Sequence, residues 1–130
     1  MKTILFPLIM FSLSILSASC TKEVKYSKET LLAKAQAIDP SITVILPKSM
    51  AAGVTCAEYS EGCLSAHIVR VKNLDLIAVE FMSQGEALLA AKKYRGYYTH
   101  NWLLDDVAGE PVLEKFVTEH LEAKKPEEVR

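Results

Sequence analysis

The chain has 130 residues, half of them hydrophobic, with 15 Lys or Arg against 16 Asp or Glu and a formal net charge of −1. That length allows one folded domain around a single core, and the near-neutral balance gives no electrostatic case for nucleic acid. No internal repeat or low-complexity stretch is visible.

Met1-Lys2 opens onto an uncharged, mostly apolar run from Ile4 to Leu16, closed by the small residues Ser17, Ala18 and Ser19 ahead of Cys20. This is the pattern of a secretory signal peptide. About 13 apolar residues make about 20 Å of helix, against about 30 Å of bilayer hydrocarbon, so residues 1–19 read as a removable leader. Ser17 and Ser19, at −3 and −1, suit ordinary signal-peptidase cleavage. The segment ending in Ser19-Cys20 also resembles the lipobox of bacterial lipoproteins, with Ser17 at −3 where that family prefers Leu. The resemblance covers the first 20 residues. It implies acylation of Cys20, anchoring on the periplasmic side and, because residue +2 is Thr21 rather than Asp, the outer membrane under the enterobacterial sorting rule.

The cysteine count bears on the choice. Of Cys20, Cys56 and Cys63, the last two are close enough in sequence to pair, which leaves Cys20 over in an exported chain. Acylation would remove that thiol; plain secretion would leave it free or intermolecular. Removing residues 1–19 leaves 111 residues with 14 basic and 16 acidic side chains, since Lys2 is the one charge lost, for a net −2. Residues 20–26 then read as a tether, 27–123 as a single domain and 124–130 as a polar tail.

Within the domain, Ser27 is placed to cap a helix over 28–38 with Leu31, Leu32, Ala35 and Ile38 inward, ended by Asp39-Pro40. The β-branched run 42–46, closed by Pro47, predicts a buried strand, and 48–65 a long loop. Runs 67–72 and 74–81 with Asn73 between them predict a hairpin. Ser83-Gln84-Gly85-Glu86 fits a capping box. With Ala87, Ala90, Ala91 and Tyr94 in helical register and Gly96 as C-cap, it predicts a helix over 83–95. A single strand over 97–104, a turn over 105–110 and a helix opened by Pro111 follow, the last with Leu113, Phe116, Val117, His120 and Leu121 on one face. The order α-β-β-β-α-β-α predicts an α+β fold. A right-handed crossover makes 74–81 and 97–104 parallel, with 42–46 available for a gap between them. The result would be a small, mostly antiparallel sheet with helices on one face, similar to ferredoxin-like folds.

Chemistry-bearing residues are few. A Cys56–Cys63 disulfide would close an eight-residue loop worth about 2.5 kcal/mol in chain entropy, and would staple the long loop or present Tyr59 from it. Adding His67 gives three ligands at irregular spacing, which matches no standard zinc site, and Asp105, Asp106 and Glu110 lack the alternation of a calcium loop; neither metal nor cofactor is expected. Alternation along 97–104 would put Tyr98, His100, Trp102 and Leu104 in the core, with Trp102 beneath helix 83–95. Tyr97, Thr99 and Asn101 would then lie near Arg70 and Lys72 on a polar surface suited to a peptide or glycan. The run 76–81 with Glu86-Ala87 is similar to part of an RNA-recognition motif, but Leu76 and Ala78 stand where its stacking aromatics belong. The sequence therefore points to a non-enzymatic, envelope-anchored binding or protein-interaction lipoprotein. The alternative is a small exported protease-inhibitor or immunity-type protein using the disulfide loop.

Overall fold

The computed structural model describes residues 23–45 and 53–127; the expected leader, Cys20, Leu46 and Pro47 lie outside these. Among these residues three α-helices, α1 (Lys28–Gln36), α2 (Gln84–Tyr94) and α3 (Pro111–His120), accompany five strands: β1 (Thr43–Ile45), β2 (Cys63–Val71), β3 (Leu74–Phe81), β4 (Tyr97–Thr99) and β5 (Trp102–Asp105). The strands form one sheet in the order β1-β2-β3-β5-β4, every neighbouring pair antiparallel. The α+β class, the antiparallel sheet and the broad element order are those expected from the sequence.

Local chemistry accounts for most element ends. The Ser27 hydroxyl accepts from the Thr30 N–H at 3.1 Å, and Ser83 accepts from the Glu86 N–H at 3.1 Å, each satisfying a donor the first helical turn leaves free. Lys72 and Asn73, at φ +49° and +66°, make the two-residue turn between β2 and β3, matching the twist of the flanking strands. Pro111 opens α3, and the Glu110 carboxylate accepts from the Val112 N–H. At the end of α2 the left-handed residue is Arg95 (φ +55°), not Gly96. Gly96 is required for a different reason: a Cβ there would come within 2.8 Å of the Leu104 carbonyl oxygen.

The largest departure from expectation is the segment 97–104. It is two short strands folded back on each other, with Thr99 opposite Trp102 and the His100-Asn101 turn between them. β5 lies between the mutually parallel β3 and β4, filling the gap that 42–46 had been expected to fill; β1 sits at the far edge beside β2. The reversal changes which side chains share a face. Tyr97, Trp102 and Leu104 join Val71, Leu76 and Ala78 on one face, under Leu31 and Ala35 of α1 and Leu113, Phe116 and Val117 of α3. Leu103, Val79 and Phe81 face the other way, against Ala87, Ala90 and Ala91 of α2. Helices therefore cover both faces, because the burial pattern of β3, with both Ala78 and Val79 inaccessible, leaves no face for solvent. Trp102 is fully buried, as expected, but beneath α1 and α3 rather than α2.

Smaller differences have local causes. β2 begins at Cys63 rather than at His67, because residues 63–66 pair with β3 through a register shift between Cys63 and Ser65. α1 ends at Gln36, and Ile38, expected inward, is exposed. The segment after α3 pairs back onto β4: Tyr98 and Lys124 exchange N–H···O bonds of 2.9 and 2.8 Å, covering that sheet edge. The Thr99 hydroxyl donates to the Leu121 carbonyl at 2.8 Å, and the Tyr97 hydroxyl donates to the Glu114 carboxylate, whose hydrogen bond pushes the tyrosine pKa up to about 12. Cys56 and Cys63 are joined.

Trp102→Ala should lower stability by about 3–5 kcal/mol in denaturant titration, the usual cost of emptying a large buried site. Fluorescence from this single tryptophan should be blue and shielded from soluble quenchers. Cys63→Ser should cost about 2 kcal/mol by the same titration, through the lost loop constraint.

Candidate functional site

The residues just before α1, which read as a free tether in the sequence, are fastened to the sheet. The Tyr26 N–H donates to Asn101 Oδ1 at 2.7 Å, and Trp102 Nε1 donates to the Tyr26 carbonyl at 2.8 Å. His100 Nδ1 lies 3.1 Å from the Val24 carbonyl, a contact that requires the proton on Nδ1, and its ring packs on Tyr26 with centroids 3.8 Å apart. The Glu23 carboxylate accepts from the Gln84 N–H at the start of α2, where the helix dipole favours an anion. Residues 23–26 thus form a strap across the end of the sheet at the His100-Asn101 turn. Asn101 is buried and also donates through Nδ2 to the Phe81 carbonyl at 3.2 Å, so one amide joins strap, turn and β3.

Beside the strap is an open hollow of about 300 Å³ lined by Lys25, Tyr26, Ser27, Leu64, Glu80, Phe81, Met82 and Asn101. Leu64 and Met82, at the open end of the β2–β3 hairpin, form an exposed apolar rim. Glu80 is held by the Ser65 hydroxyl at 3.4 Å, and Ser65 in turn lies 3.1 Å from His67 Nε2. If Ser65 gives its single proton to Glu80, it accepts from His67. Serine is then the middle member, whereas nucleophile activation needs histidine between serine and acid. Burial lowers the His67 pKa and favours its neutral form. His67 also lines a second space under α1, with Leu31, Trp102 and Leu104, but at about 30 Å³ this holds roughly a single water's volume and is a packing void.

The sequence-derived candidates do not assemble into one surface. Tyr97, Thr99 and Asn101 are 6, 3 and 3 % exposed, because the reversal at His100-Asn101 turns them into the fold. Arg70 and Lys72 lie at the opposite end of β2–β3, Lys72 in the turn and Arg70 in a two-point ion pair with Asp75 at 2.9 and 3.2 Å. Tyr59 is not displayed by the disulfide loop. Its ring packs edge-on against Tyr94 and its hydroxyl donates to Asp105 at 2.8 Å; burial and that bond raise its pKa well above the usual tyrosine value. Cys20 lies outside the described residues. Sequence reasoning missed Tyr26, Leu64 and Met82, and the only available signal was the apolar character of Leu64, in a segment read as loop, and of Met82, between a predicted strand and a predicted helix.

Among the described residues no cluster of three or more His, Cys, Asp or Glu could hold a metal ion, and no helix is long and apolar enough to cross a membrane. No family model, curated protein or solved structure matches the chain.

Asn101→Ala should leave the Tyr26 N–H and the Phe81 carbonyl without their partner and cost about 1–3 kcal/mol. Hydrogen exchange at the Tyr26 amide should accelerate well beyond the effect on amides of α2.

Proposed function

We propose that the chain is an exported, envelope-anchored binding module without catalytic activity, held to a membrane through an acylated Cys20 and presenting the hollow beside its N-terminal strap. The observation that carries this reading is the strap. Only residues 21 and 22 separate Cys20 from a segment whose backbone is hydrogen-bonded to Asn101 and Trp102, both buried side chains. A polar segment leading to an anchor has no need of such fastening unless the position of the domain relative to that anchor matters. The signal pattern, the resemblance to a lipobox and the leftover Cys20 support export and acylation, and Thr21 supports the outer membrane.

The hollow supplies the mixed chemistry of a recognition surface: the Lys25 ammonium, the Glu80 carboxylate, the Tyr26 ring and the apolar Leu64 and Met82. An envelope protein, peptide or glycan could engage it. The inhibitor-type reading has less support, since Tyr59, the natural anchor of the disulfide loop, is hydrogen-bonded inward.

Intact mass of the protein from membrane fractions should correspond to a chain beginning at residue 20 with added acyl mass. A soluble mature chain of unmodified mass would overturn the reading.

A further inference from the structure

We infer that the partner of the hollow is the lipid interface itself: Val24, Leu64 and Met82 form a contact surface that rests on the bilayer beside the acyl anchor. This rests on the acylation of Cys20 proposed above and specifies what the exposed end of the domain does once anchored.

Tether length makes the case. From Cys20 to Glu23 the chain spans at most about 11 Å when extended. Glu23 is fastened to the start of α2, Val24 to His100 and Tyr26 to Asn101 and Trp102, so only residues 21 and 22 separate the acylated residue from the fastened segment. Glu23 is therefore held within about that distance of the acylated residue, at the same end of the sheet as Leu64 and Met82, which line the hollow beside Lys25 and Tyr26. Large apolar side chains are exposed there beside the charged Lys25 and Glu80. Val24, Leu64 and Met82 are 56, 55 and 56 % exposed, and the last two line the hollow together with Lys25. Large apolar side chains beside a lysine suit the headgroup boundary, where the apolar groups enter the acyl region and the ammonium remains at the phosphates. An acyl chain and a protein contact acting together hold a domain more firmly than either alone.

The opposite end of the sheet provides the control. β5 runs away from the strap toward Asp105, and Val112, 42 % exposed at the start of α3, follows at that far end. The acylated full-length protein carrying Leu64→Cys, Met82→Cys or Val112→Cys, each labelled with an environment-sensitive fluorophore, is reconstituted into vesicles of phosphatidylethanolamine and phosphatidylglycerol containing nitroxide lipids. Flotation of the same samples reads anchoring independently. The inference expects floating protein whose emission is blue-shifted and quenched at positions 64 and 82 but not at 112. Floating protein with all three labels in water would overturn the lipid contact while leaving the anchor intact, and would assign the hollow to a soluble partner. Equal quenching at all three positions would also overturn it, since the domain would then have no preferred face. Protein that fails to float would remove the anchor, and this inference with it.

Discussion

One buried side-chain amide holds together the parts of this fold that the rest depends on. Asn101 sits in a two-residue turn, accepts the Tyr26 N–H through Oδ1 and donates to the Phe81 carbonyl through Nδ2; its own carbonyl accepts the Phe81 N–H at 2.8 Å. A buried amide left without partners would be strongly destabilising, so its position limits where the end of β3, the turn and the strap can lie. The turn reverses the chain after only three residues of β4, and that reversal places β5 between β3 and β4. Without it, 97–104 would be one long edge strand and Trp102 would face a different layer.

The consequence is a sheet enclosed on both sides. α2 covers Val79, Phe81 and Leu103, while α1 and α3 cover Leu76, Trp102 and Leu104. A domain this small gains much of its apolar burial by making its central strands inaccessible on both faces, and β3 and β5 are the strands so treated. With one edge covered by the 98–124 bridge and both faces by helices, three of the six exposed large hydrophobic side chains among the described residues, Val24, Leu64 and Met82, lie at the strap end. The disulfide loop follows the same logic. Gly62, at φ +91°, turns the chain into β2 where any Cβ would meet the Glu86 carboxylate, and Tyr59 packs with Ile77 and Tyr94 on the α2 face. The loop is thereby made a cover for the sheet.

Local features were legible in the residues themselves. Ser27 and Ser83 as caps, Pro111 at the start of α3, the turn at Asn73, the cysteine pairing and the inward face of α3 are each decided by chemistry within a few residues, where a spare N–H, a fixed φ or a short loop admits few solutions. The α+β class follows from the order of those elements.

What the tertiary structure alone decided begins at His100. Residues 97–104 read as a continuous strand because all eight tolerate extended backbone, and neither Gly nor Pro marks the reversal. His100 takes φ +49° in a setting where its ring packs on Tyr26 and its Nδ1 meets the Val24 carbonyl, partners 74 and 76 residues away in the chain. Alternation arguments fail at such a point, since one hidden turn inverts the face of every residue beyond it. The strap was equally invisible, because a polar segment with no periodicity carries no sign of bonds to a distant amide and indole. Sequence determined the caps and the pairing because each is a short-range decision; long-range hydrogen bonding decided which faces are buried and where residues 23–26 fasten to the sheet.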